Sequence, residues 1–272
     1  MAASKYALVF LTILIGLSGC KKEGCTDDQA INYDSEAKKD DGSCEYATST
    51  LVVHMKHMLD GEDAEMNMLQ YMSPAGNEYS ITKLFYFISD IVLHSSEGDV
   101  EVDAAHYIDL EDSSTLTWET GLDINPGEYD SVSFIFGLDE EKNVNGYFTT
   151  LPEVNMAWPD VMGGGYHYMQ MEGWYDSMNT DGALKGYLTH LGPTNGNQYY
   201  VKVGLDGSGF SVPSDRNSTT NVDIFMHINN WYQQPHLYDF NNYSGIMMNE
   251  SVQAMMQENG ANVFTLDKIL IE

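Results

Sequence analysis

The chain has 272 residues, with 41 acidic against 12 basic side chains and a formal charge of −29 at neutral pH. Such a field repels phosphate backbones and anionic headgroups, which excludes nucleic acid as a partner and argues against electrostatic adsorption to lipid. Hydrophobic residues make up 43% of the chain, enough for a full core. A chain this long holds one large all-β domain or two small ones.

In chain order, Lys5 supplies a short basic start and Tyr6 to Leu17 an apolar run, followed by Leu17-Ser18-Gly19-Cys20. The run is too short to span a bilayer, so it reads as a targeting segment. The last four residues form a lipobox. Residues 1–19 are therefore expected to be a lipoprotein signal peptide, with Cys20 carrying the lipid. The mature chain is then expected in the cell envelope, held to a membrane by acyl chains. Lys21 after the lipidated cysteine points to the outer membrane, at its periplasmic face or at the cell surface. Of three cysteines, Cys25 and Cys44 remain in an oxidising compartment, so one disulfide is expected. It would close a loop of about 20 residues, worth roughly 3 kcal/mol in the chain-entropy model.

Residues 20–48 are polar and read Gly24-Cys25-Thr26-Asp27, Ala30-Ile31-Asn32-Tyr33 and Asp40-Asp41-Gly42-Ser43-Cys44-Glu45-Tyr46. This resembles a small module common in surface and secreted proteins of Bacteroidetes, and a disulfide-stapled spacer is expected. Asp27, Asp34, Asp40 and Asp41 could gather oxygens for calcium, although the spacing is not that of an EF-hand. A plain acidic linker is the other reading.

From residue 49 to 272 the chain alternates and turns. Strands are expected over 50–58, within 79–93, and over 105–110, 129–137, 166–174, 184–191, 199–205 and 222–228. Clusters such as Asn125-Pro126-Gly127 and Asp206-Gly207-Ser208 separate them. A short helix is expected over 138–144 and a better one over 249–258, where Val252, Met255 and Met256 recur at helical spacing before Asn259-Gly260. The fold class that follows is all-β: a sandwich of antiparallel strands with a short C-terminal helix. The aromatic stretch Asn230–Phe240 is expected to cover one edge of the sandwich, a sugar-stacking platform being the alternative.

Several segments then fall into order. They are Leu84–Leu93, Tyr107-Ile108-Asp109-Leu110, Gly127-Glu128-Tyr129, Phe136-Gly137-Leu138-Asp139 with Asn143, Met156-Ala157-Trp158, Gly165-Tyr166 through Glu172-Gly173, and His190-Leu191-Gly192. Together, from about Leu51 to Phe264, they resemble the MbnP-like family of periplasmic copper-binding proteins associated with methanobactin operons. Leu138 stands where the family has valine, and Trp158-Pro159 where some members carry a second tryptophan. The resemblance implies copper bound by histidine, and in some members by a tryptophan oxidised to kynurenine by a dihaem peroxidase. Trp158 is the candidate for that role here. A dihaem peroxidase or a TonB-type transporter is the partner it implies.

The residues offer ligands independently. Imidazole suits Cu(II) and thioether Cu(I), and no free thiolate remains. His54 and His190 are expected to supply nitrogens to one copper, with His167 as a third ligand sharing a strand face with Met169 and Met171. No nucleophile elbow, zinc-protease motif or phosphate loop occurs, so no enzymatic turnover is expected. The alternative to copper handling is a lipoprotein that binds a glycan or a partner protein, its histidines structural.

Overall fold

The computed structural model describes residues 21–177 and 183–272. The lipobox and the expected lipid site Cys20 lie outside the described residues. The chain divides into two compact units, Met1–Tyr46 and Ala47–Glu272.

In the first unit Cys25 and Cys44 are joined, with their Cα atoms 4.8 Å apart. Cys25, Ala30 and Ala37 are the buried residues described there. So small a core makes the covalent link a substantial part of what holds the unit together. Asp27, Asp34, Asp40 and Asp41 each accept a backbone N–H two residues on, from Gln29, Glu36, Gly42 and Ser43. The four carboxylates brace successive turns.

The second unit runs β1 (Ser49–Leu59), β2 (Glu62–Asp63), β3 (Tyr71–Met72), β4 (Glu78–Tyr79), β5 (Lys83–His94), β6 (Val100–Asp109), β7 (Thr117–Ile124) and β8 (Gly127–Tyr129). It continues through β9 (Ser131–Phe136), β10 (Met169–Asp176), β11 (Leu184–Leu191), β12 (Val201–Leu205), β13 (Phe210–Val212) and β14 (Ser218–His227), and ends with α1 (Glu250–Gly260) and β15 (Phe264–Ile271). Two sheets carry the fold. The first is ordered β15-β14-β1-β2, with β7 also on β1. The second is β12-β9-β5-β10-β4-β3, with β6 on β5 and β11 on β10.

Alternation explains how the sheets meet. In β1 the odd positions Leu51, Val53, Met55, His57 and Leu59 are buried, and the even ones look outward. From the second sheet Leu84, Tyr86, Phe134, Phe136, Met169 and Met171 join the same core. His57 Nε2 reaches the Tyr86 hydroxyl at 2.8 Å across the gap, both residues being buried. The expected all-β sandwich is thus present, and the late helix begins where its signals placed it. Asn249 caps it by accepting from the Val252 N–H.

The second sheet forks. One edge of β5 is taken by β6 along most of its length. Its other edge pairs with β10 at 83–86 and with β9 at 88–94. Just past the fork, where the pairings with β6 and β9 both slip register, Asp90 has φ of 53°, and its carboxylate meets the buried Lys142 ammonium at 2.7 Å. Lys142 also reaches Asp103 at 2.6 Å. This salt-bridged turn occupies 138–144, where the short helix was expected. Lys142 spends its reach on β5 and β6 rather than on a helical face.

The strand expectations are corrected in three respects. Strands β7 and β15 are additional, and β1 runs parallel to β14 (Ser49↔Ser218 through Met58↔His227). The strand at 166–174 begins only at Met169. Of the two readings of the aromatic stretch 230–240, packing holds and the sugar-stacking platform does not. Trp231, Tyr232, Tyr238 and Phe240 are wholly buried, Phe240 stacking on Tyr187 at 4.4 Å.

Candidate metal centre

On β11, Tyr187, Thr189 and Leu191 pair with Gly173, Met171 and Met169 of β10. Thr189 and Met171 face the core, where both meet the Tyr232 hydroxyl. By alternation His190 stands on the outer face of the second sheet, with Gln170 and Glu172. A long excursion from 137 to 168 returns over this face. Asn143 Oδ1 accepts the Tyr166 N–H and Asn145 Oδ1 the Gly165 N–H, both at 2.6 Å. Gly165 has φ of 83°, and a Cβ there would lie 2.4 Å from Asn143 Oδ1, so only glycine fits.

The excursion delivers Trp158 and His167. The His167 ring lies 4.7 Å from the Trp158 ring and 5.1 Å from that of His190, edge to face in both cases. All three are buried, Trp158 at 2% exposure. Gly192 provides the clearance, since a Cβ there would meet the Trp158 indole at 2.5 Å.

Each histidine is oriented from behind. His167 Nδ1 lies 2.9 Å from the Met156 carbonyl, which can only accept, so Nδ1 carries the proton and Nε2 the lone pair. His190 Nε2 lies 3.0 Å from Glu172 Oε1, and Glu172 is paired with Lys83 at 2.7 Å. Burial, the largest single influence, works to raise the Glu172 carboxyl, but the Lys83 ammonium and His190 together hold the group below its ordinary value. The carboxylate is therefore ionised and accepting, so His190 donates from Nε2 and keeps its lone pair on Nδ1. That Nδ1 is buried with no hydrogen-bond partner, as is Trp158 Nε1. Burial pushes His167 down to about 4 and lowers His190 as well, in spite of Glu172. Both rings are neutral at pH 7.

Two neutral imidazoles, each anchored through one nitrogen and free at the other, fit a metal that takes nitrogen ligands. An orphaned buried acceptor is costly unless something binds it. Among the described residues no group of three or more His, Cys, Asp or Glu is arranged to hold a metal. The arrangement is a histidine pair beside an indole.

The expected pairing of His54 with His190 is corrected. His54 is an even residue of β1, on the outer face of the first sheet, its nitrogens 3.0 Å from Thr117 Oγ1 and Asn221 Oδ1. His190 is on the outer face of the other sheet, and packed sheets stand about 10 Å apart. His167 also departs from expectation. It precedes β10, and its ring joins His190 on the face opposite Met169 and Met171. Glu172 and Lys83 were not assigned roles from sequence. Their signal is a conformational one, an acid diagonal to His190 across an antiparallel pair.

Residues 48–249 match the MbnP family. The chain belongs to the MbnP family. Among solved structures it is similar to MbnP from Methylosinus trichosporium, with 15% identity and a TM-score of 0.44 over 65% of this chain and 76% of that one. No curated protein matches it. The family match begins within two residues of the Tyr46/Ala47 division and spans Trp158, His167 and His190.

Proposed function

We propose that this MbnP-family chain is a copper-binding lipoprotein of the cell envelope, with His167 Nε2 and His190 Nδ1 as its nitrogen ligands and no turnover of its own. The observation that carries this is the buried His190 Nδ1, left without a partner beside His167 while Glu172 fixes the tautomer. Copper is the cargo. The chain's part is to hold two neutral rings at set positions and to keep water from them under the 137–168 excursion. Trp158 lies against His167 and is the residue an oxidising partner of the dihaem peroxidase type would modify. Cys20 is the proposed lipid anchor, and a TonB-type transporter is a second proposed partner. Calcium in the first unit is a weaker proposal, because its acidic side chains already serve backbone amides.

The test is metal analysis of protein from copper-supplemented periplasm. The parent is expected to hold copper, His54→Ala to keep the same content, and His167→Ala and His190→Ala each to lose one equivalent. A copper-free parent, or a copper content undiminished by both latter substitutions, would overturn the assignment. Protein or glycan binding is the second reading. It is favoured by Trp174, 50% exposed on the outer face of β10 with exposed Leu184 and Leu188 on β11.

A further inference from the structure

We propose a second metal site, for a soft monovalent cation of the Cu(I) type, in the cavity lined by Met58, Met72 and His227. It does not depend on the His167–His190 reading. Met58 and His227 are register partners at the ends of parallel strands β1 and β14, so they stand side by side on the outer face of the first sheet. Met72, on β3, lines the same cavity of about 360 Å³ together with Asp60 and Asn229.

The cavity wall is built. The Asn229 amide donates to the Asp60 carboxylate at 2.9 Å and to the Met72 carbonyl at 3.2 Å. Its own carbonyl accepts from the Tyr79 hydroxyl at 2.8 Å. His227 Nε2 lies 2.8 Å from Thr265 Oγ1, a hydroxyl able to donate or accept, so the ring is held through Nε2 and Nδ1 is the nitrogen left for a ligand. Burial also lowers the proton affinity of this ring, so it is neutral at pH 7.

Packing does not account for the methionines. Met72 is 53% exposed and Met58 only half-buried, so neither fills a gap in the core. Two thioethers and an imidazole form a donor set that selects Cu(I) over zinc, calcium or magnesium. Neither Lys nor Arg lines the cavity, and Asp60 is shared with an adjoining acidic hollow of Glu62, Asp63 and Glu65. That negative rim draws cations toward the thioethers.

The experiment uses Ag(I), which does not change oxidation state, on the full mature chain carrying His167→Ala and His190→Ala. One Ag(I) per chain is expected, with the ¹³C-methyl resonances of Met58 and Met72 and the ring of His227 shifted together. Met58→Leu/Met72→Leu keeps apolar volume and is expected to weaken Ag(I) binding by on the order of tenfold or more, the scale on which altered ligation acts. Binding unchanged by that double variant would overturn the proposal. So would shifts confined to other methionines, such as Met66 and Met68, or no binding at all.

Discussion

Alanine at position 192 would add a single carbon where an indole already lies. The new Cβ meets Cε3, Cζ3 and Cδ2 of Trp158 at 2.5, 2.6 and 2.9 Å, against about 3.5–4.0 Å for relaxed carbon contacts. The ring must retreat by about 1 Å to restore that spacing. It has little room, because Trp158 is 2% exposed and packs edge to face on His167. Its displacement passes to His167 and on to His190. Overpacking of this kind costs about 1–3 kcal/mol, and three short contacts with a rigid buried ring place Gly192→Ala at the upper end. The backbone at 192 is not left-handed, so the effect is steric alone. Gly204→Ala serves as control. Nothing lies within 4 Å of its Cβ, and the change should stay within about 0.5 kcal/mol of the parent. Urea denaturation gives the stability, and the imidazole resonances of His167 and His190 report the site. Gly192→Ala that is as stable as Gly204→Ala, with unmoved imidazole resonances, would refute the packing argument.

Acid should destabilise the fold through His57, which burial holds at about 4. The unfolded chain takes up a proton near pH 6.5 that the folded chain refuses. Stability is thus full above 6.5 and falls as the pH drops, by roughly 3 kcal/mol near pH 4. His57→Phe/Tyr86→Phe removes both ends of the buried contact and should flatten that part of the pH profile in urea titrations. An unchanged acid slope would show that other groups set it. Lys142→Met strips the buried Asp90 of its cation and should cost about 3–5 kcal/mol at pH 7. Adding Asp90→Asn should recover much of the loss in the same denaturation assay, and no recovery would contradict the charge argument.

The sandwich was legible because alternation needs only local sequence. Leu51, Val53 and Met55 announce a half-buried strand whatever lies beside it. Strand neighbours were not legible in the same way. The fork of β5 and the parallel course of β1 and β14 depend on contacts far apart in the chain, and Lys142 gives no local sign that it will be drawn to Asp90 and Asp103. Strand β15 was hidden by Asp267 and Lys268, whose charges interrupt its apolar alternation at an exposed edge. The site was partly visible. His190, His167 and Trp158 were singled out by their surroundings in the chain, and two of the three expected imidazoles do meet. His54 was misplaced because parity within a strand says which face a side chain takes but not which sheet the strand joins. Orphaned atoms such as His190 Nδ1 become visible only once every neighbour is in place.

The parallel pairing of β1 and β14 also constrains the order of folding. The first long strand lies between β7 and β14, and its partner on the β14 side begins only at Ser218. A chain made from its N-terminus holds β1 without that neighbour until more than two thirds of the sequence has been synthesised. Its inner face of Leu51, Val53 and Met55 stays uncovered or transiently mispaired in the meantime. Pairings this remote delay folding, because the loop entropy must be paid before the contacts form. Any fragment that stops short of β14 lacks the strand on which β15 lies, and so loses one whole side of the first sheet at once.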